Sequence, residues 1–193
     1  MARIGVLALQ GSVAEHLHML ERLGDVQGVA VRSPADLDSV NGLILPGGES
    51  TTIGKLLRIF GLSGPIQQRI ANGMPVWGTC AGMILLAREI VGEVPHLAVM
   101  DIRVRRNAYG RQIDSFVREA VLPVVCARPM ELVFIRAPWI EAAGDKVETL
   151  CVLDGQIVAA RQGPLLATSF HPELTTNLSM HRYFASMIRE SRG

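Results

Sequence analysis

A cysteine set between two glycines, Gly78-Thr79-Cys80-Ala81-Gly82, constrains this chain more than any other stretch. Ahead of it the short apolar run Pro75-Val76-Trp77 reads as a buried strand, and after it Met83 to Ile90 reads as a helix. A nucleophile on so sharp a strand-to-helix turn sits in a strained backbone, so its near neighbours must have almost no side chain. The following helix aims its free N–H groups and positive dipole end at the sulfur, which favours thiolate over thiol. A small buried cysteine packed among glycines at a strand end meets the same description. The pentapeptide alone does not choose between the two.

Strands alternate with helices through the first half, which predicts a parallel sheet covered on both faces. Arg3 to Leu9 is the first strand. Ser12 and Glu15 form a capping box for a helix whose apolar face carries Val13, Leu17, Leu20 and then Leu23 or Gly24. His16 and His18 fall mostly off that stripe and read as solvated. A strand from Val26 to Val31, a short helical stretch from Pro34 and a buried strand from Gly42 to Leu45 follow. Helices over Thr51 to Phe60 and Pro65 to Asn72 lead to the cysteine.

Beyond about residue 95 the pattern changes to strands joined by turns. They span Val99 to Arg106, Ser115 to Val121, Glu131 to Ile135, Val147 to Leu153 and Gln156 to Arg161. Asp154-Gly155 marks a hairpin between the last two. This half reads as an antiparallel extension of the same sheet, followed by a strand from Leu165 to Phe170 and a helix from Leu178 to Glu190. The expected fold class is α/β, three-layered, with a mixed and mostly parallel sheet and helices on both faces.

The 193 residues suit a single domain over 1–193, with no linker, repeat or low-complexity segment. A hydrophobic content of 49% argues against disorder, and no apolar run approaches the roughly 18 residues of a membrane span. The opening apolar run is too short for a signal peptide, so a cytoplasmic protein is expected. Cys80, Cys126 and Cys151 lack close spacing, which supports a reducing compartment and offers no metal cluster. Neither a metal nor a cofactor is called for. The net charge of +1 makes no electrostatic case for nucleic acid or a membrane surface.

Two further stretches carry chemistry. Pro46-Gly47-Gly48-Glu49-Ser50-Thr51-Thr52 is a glycine-rich turn after a parallel strand, where open α/β sheets place their ligands. It is not a phosphate-binding P-loop: the spacing to Gly54-Lys55 is one residue too long, and Leu56 stands where a magnesium-binding hydroxyl belongs. Its backbone N–H groups remain as donors to a substrate carbonyl. His171-Pro172-Glu173 follows the last strand. In an extended segment residues two apart share a side, so the carboxylate can hold the imidazole in one tautomer as the third member of a nucleophile–base–orienter triad. Arg103, Arg105, Arg106 and Arg111 form a basic cluster. A solvated face is its default reading, with one arginine binding a substrate carboxylate as the alternative.

The elbow, the Pro-Gly-Gly turn and the terminal His-Pro-Glu together resemble the class I (triad) glutamine amidotransferases, whose fold is flavodoxin-like. Along its whole length the chain is similar to the glutaminase subunits of pyridoxal 5′-phosphate synthase. The matches are Ile4 to Gly11, Pro46 to Thr52, Gly78 to Gly82, Arg106-Asn107-Ala108-Tyr109-Gly110-Arg111-Gln112, Phe134 to Pro138 and Ser169 to Glu173. This resemblance implies that Cys80 attacks the side-chain amide of glutamine, ammonia leaves, and water hydrolyses a glutamyl thioester. His171 then moves protons and Glu173 orients it. The Ala81 N–H and one from the Gly47-Gly48 turn would hold the oxyanion, with Gln10 near that site and near the partner surface. Gly47, Gly48, Glu49, Arg106, Ile135 and Arg136 would bind L-glutamine. The ammonia would pass to a synthase subunit, a (β/α)8 barrel, in a multi-subunit complex. A glutaminase serving another synthase, of the imidazole glycerol phosphate type, is the rival within enzymes; a cysteine-elbow redox or stress protein is the rival outside them. The narrow Glu-Ser-Thr-Thr and Arg-Asn blocks argue against the first, and the His-Pro-Glu terminus against the second.

Overall fold

The computed structural model describes residues 1–106 and 115–191. The first half runs β1 (Ala2–Leu7), α1 (Val13–Leu23), β2 (Val26–Val31), α2 (Pro34–Asp38), β3 (Gly42–Leu45), α3 (Ser50–Ile59), α4 (Ser63–Ala71), β4 (Val76–Thr79) and α5 (Ala81–Leu86). The second runs β5 (Ala87–Ile90), β6 (Met100–Arg105), β7 (Ser115–Leu122), β8 (Cys126–Ile135), β9 (Trp139–Ala143), β10 (Glu148–Leu153), β11 (Gln156–Gln162), β12 (Leu165–Thr168) and α6 (Ser179–Glu190). A 3-10 turn, Pro172–Leu174, joins β12 to α6.

The main sheet has the order β2-β1-β3-β4-β12-β11-β9-β6-β5, with β10 paired to β11. From β2 to β12 every pairing is parallel. Strands buried on both faces read as near-continuous apolar runs; β3, β4 and β12 are buried at every position, and only the terminal Thr79 and Thr168 are polar. Alternation sends neighbours to opposite sides: Leu43 and Leu45 join one core with α2 to α5, while Ile44 joins the other with α1 and α6. The sheet is therefore mixed and mostly parallel, with helices on both faces, as the alternating pattern predicts.

Three details differ from the sequence reading. The helix expected over Met83 to Ile90 ends at Leu86, and Ala87 turns to ψ 136°. The residues beyond it become β5, because β6 offers both a parallel partner and charge pairs: Arg88 lies 2.9 Å from Asp101, and Glu89 lies 3.2 Å from Arg103. An unbroken apolar run cannot announce that switch. Strand β9 was not expected at all, yet it bridges β11 and β6. Finally β7 and β8 leave the main sheet as a separate antiparallel pair. They drop Leu122, Met130, Leu132 and Phe134 onto the core around Trp77 and Phe170, with the Phe134 and Phe170 rings edge to face at 5.9 Å.

The Asp154-Gly155 hairpin forms as predicted, with φ of 49° and 78° at its two central residues. The basic cluster is ion-paired rather than simply solvated: Arg103 meets Glu89 and Glu141, and Arg105 meets Glu141. Arg111, with the rest of the Asn107 to Gln112 block, lies outside the described residues. Among the described residues no helix is long and apolar enough to cross a membrane.

Candidate active site

The parallel strands deliver their carboxyl ends to one rim. Gln10 follows β1, Gly47 and Gly48 follow β3, Cys80 follows β4, and His171 follows β12. Such a rim is where open α/β sheets bind ligands.

Cys80 has φ 48° and ψ −104°, a conformation few side-chain-bearing residues adopt. The fold holds it there from both sides: its N–H donates to the Thr168 carbonyl at 2.8 Å, and its carbonyl accepts the Met83 N–H at 3.1 Å. Both flanking glycines are sterically required. A Cβ on Gly82 would stand 2.0 Å from the Leu45 carbonyl oxygen, and one on Gly78 2.3 Å from that of Gly82. Because α5 spans only six residues, its dipole is weaker than the sequence reading assumed. The free N–H groups of its first turn remain.

His171 and Glu173 come together differently from the extended arrangement expected. Pro172 starts a 3-10 turn, and the turn, not the strand period, brings His171 Nδ1 within 2.8 Å of Glu173 Oε1. The His171 N–H donates to Val133 on β8, which ties this turn to the separate hairpin. Burial works to lower the His171 pKa, but its hydrogen bonds and charge pairing with Cys80 and Glu173 outweigh that and raise it to about 10. Burial works to raise that of Glu173, but the nearby His16, the hydrogen bond from His171 and the Ser12 hydroxyl hold it down at about 2. With Nδ1 given to Glu173, the other ring nitrogen of His171 is left for Cys80.

A cavity of about 260 Å³ opens on this pair. That is below the roughly 300–1,000 Å³ of sites for drug-sized ligands, so it suits one small metabolite. Gln10, Gly48, Glu49, Cys80 and Ala81 line one side, and Arg106, Ile135, Arg136 and His171 are on another. Gly47 and Glu173 stand behind that wall. A Cβ on Gly47 would come 2.3 Å from His171 Cε1, so the glycine makes room for the ring. The Gly47 carbonyl accepts the Ser12 N–H at 3.0 Å, which in a trans peptide directs the Gly48 N–H the opposite way. Gln10 commits its carbonyl to the Glu49 N–H at 2.8 Å, so that oxygen braces the turn. Arg106 donates to Glu49 at 2.7 Å and to both oxygens of Glu93 at 2.7 and 2.9 Å. Arg136 carries φ 43°, and the Ile135 carbonyl lies 3.8 Å from Cys80 Sγ.

Four residues belong here that the sequence reading did not place. Ser12 makes no side-chain cap for α1, because its hydroxyl donates to Glu173 at 2.6 Å. His16 is fully buried, not solvated, with Nε2 3.5 Å from Glu173 Oε2. Glu93 partners Arg106, and the buried Ser50 lines the cavity with its hydroxyl unpartnered among the described residues. None has a local signal except Ser50, which sits inside the Glu-Ser-Thr-Thr block. Among the described residues no group of three or more His, Cys, Asp or Glu side chains is arranged to hold a metal ion.

Known proteins resemble this chain along most of its length. The model of the SNO glutamine amidotransferase family matches residues 6–190. A protein of Herpetosiphon aurantiacus named pyridoxal 5′-phosphate synthase subunit PdxT is 59% identical over 189 residues, covering 95% of this chain and 99% of its own. Its namesake in Ruminiclostridium cellulolyticum is 52% identical over 189 residues, covering 97% and 100%. A crystal structure described as a glutamine amidotransferase superposes with a TM-score of 0.91 at 46% identity, covering 96% of this chain and 98% of that one. The elbow, the glycine turn and the His-Pro-Glu turn all fall within the matched span, and the chain belongs to the SNO glutamine amidotransferase family.

Proposed function

We propose that this protein hydrolyses L-glutamine to L-glutamate and ammonia, and hands the ammonia to the synthase subunit of a pyridoxal 5′-phosphate synthase. The observation that carries the reading is the imidazole of His171, shared between Cys80 and the buried Glu173 at the mouth of a cavity of amino-acid size. His171 already holds the proton in a thiolate–imidazolium pair with Cys80, and the thiolate attacks the amide carbon. The oxyanion that forms is held by the Ala81 N–H and by the Gly48 N–H, with Gln10 bracing the second. His171 returns the proton to the departing nitrogen, so ammonia leaves and a glutamyl thioester remains. Water, deprotonated by the same imidazole, then releases glutamate and restores the thiolate–imidazolium pair.

Gly48 and Glu49, backed by Gly47, form one wall of the substrate site, and Ile135 and Arg136 the other. Arg106 receives the α-carboxylate of glutamine. Its present partners, Glu49 and Glu93, keep the guanidinium aimed until substrate arrives. The domain acts as one unit over 1–193, and three free thiols suit a cytoplasmic setting. The names of the relatives, subunits of pyridoxal 5′-phosphate synthase, support a barrel-type synthase as partner.

An electrophilic glutamine analogue tests the reading. Peptide mapping should find one modified thiol per chain, at Cys80, and Cys80→Ser should abolish ammonia release. Modification of Cys126 with Cys80 untouched would overturn it.

A further inference from the structure

Behind Glu173 lies a pair of imidazoles that the triad chemistry does not use. His16, from α1, and His181, from α6, are both fully buried. His16 Nδ1 lies 3.0 Å from His181 Nε2, and His16 Nε2 lies 3.2 Å from Thr79 Oγ1 and 3.5 Å from Glu173 Oε2. The indole of Trp77 boxes in both rings, edge to face, at 5.7 and 5.0 Å. Glu173 Oε1 already accepts from His171 and Ser12, whereas Oε2 is buried without a hydrogen bond. A buried carboxylate oxygen facing no donor is costly, so the proton on His16 decides whether this site is stable.

Only one pair of tautomers places donors well. If His16 carried its proton on Nδ1, the lone pair of Nε2 would face the carboxylate, and His181 would bury an unpartnered N–H. With the proton on Nε2, His16 presents a donor to Oε2 and Thr79, while Nδ1 accepts the Nε2–H of His181. The atom then left over is the buried Nδ1 of His181, an acceptor, which costs less than an orphaned donor.

We propose that His16, locked as the Nε2–H tautomer by His181, is a positioning residue that keeps Glu173 ionised and aimed at His171. The inference rests on the triad reading above. Both histidines are held neutral: burial lowers their pKa, to about 3 for His181, and His16 feels Glu173 and Glu15 pulling upward against His171. These groups, with Ser12, are the charged and polar neighbours that face the cluster from α1, α6 and the His171–Glu173 turn. A neutral donor can thus face Glu173 without taking its proton. The same ring also braces Thr79, the residue before the nucleophile.

Two measurements test this. Imidazole nitrogen–proton correlation spectra of the full wild-type chain at neutral pH should show His16 and His181 neutral and protonated on Nε2. A proton on His16 Nδ1 would overturn the proposal. Ammonia release from glutamine, with the synthase subunit present and active sites counted by Cys80 labelling, should fall about tenfold in kcat for His16→Leu, with KM nearly unchanged. The acid limb of its pH profile should move upward, because Glu173 without that donor protonates at a higher pH. His16→Gln, which can place an amide N–H near the same spot, should recover most of the loss, and His181→Leu should show a smaller shift of the same sign. An unshifted acid limb, or equal impairment by Leu and Gln, would reduce the pair to packing. Should His16→Leu fail to fold, His181→Leu and the wild-type spectra still decide. Ammonia release by Cys80→Ser would instead sink the triad reading and leave the tautomer result standing.

Discussion

Glu173 keeps a fully buried carboxylate in its ionised form, and that has a consequence for stability. Its pKa falls from the ordinary 4.5 to about 2, so folding holds the ionised form better than the unfolded chain does. Its contribution is therefore complete above about 4.5 and disappears as pH falls through about 2. His171 has the opposite sign. Raised from 6.5 to about 10, it contributes fully below 6.5 and loses that contribution as pH rises through about 10. Unfolding free energies of wild type and Glu173→Gln should differ most near neutral pH and converge toward pH 2. A difference independent of acid pH would show that the carboxylate is not paired as described.

At the scale of elements, glycines let strands and turns approach the site. Gly47→Ala would drive a methyl group to 2.3 Å from the His171 ring. The ring must shift, and a displacement near 1 Å costs about a hundredfold in rate, so kcat should fall by about that much while the fold survives. Gly64 in α4 is the control: nothing lies within 4 Å of its added Cβ, so Gly64→Ala should leave kcat alone and raise stability by up to about 1 kcal/mol. Equal kcat in the two variants would remove Gly47 from the account of the site.

Across the whole molecule, the carboxyl ends of β1, β3, β4 and β12 converge, so anything docking on that rim can reach the Gly47–Gly48 peptide. A glycine peptide rotates at little steric cost and can offer either N–H or C=O. The Ser12 N–H and the Gln10 brace now hold it in one orientation. Losing an oxyanion donor costs roughly a hundred- to a thousandfold, so partner control of this peptide would gate catalysis. Glutaminase activity should rise by about tenfold or more on adding the synthase subunit, mainly in kcat, and Gln10→Ala should blunt the rise. An isolated chain as fast as the complex would exclude such gating.

Whatever depends on neighbours along the chain is legible in the amino-acid sequence alone. The elbow, the Gly47-Gly48 turn and the Asp154-Gly155 hairpin announce themselves by short residue patterns, although the contacts that require Gly82 and Gly47 come from Leu45 and His171. The apolar runs of β3 and β4 point to a sheet buried on two faces. The arrangement behind the triad is not legible there, because it joins distant residues: Ser12 reaches Glu173 across 161 positions, and His16 reaches His181 across 165. Helical periodicity puts His16 off the apolar stripe, yet a polar ring can enter a core that supplies its hydrogen-bond partners, here from β4 and α6. The end of α5 at Leu86 likewise depends on β6 arriving with Asp101 and Arg103. Short residue patterns mark which residues could do the chemistry, and only tertiary packing decided which buried groups would hold them in place.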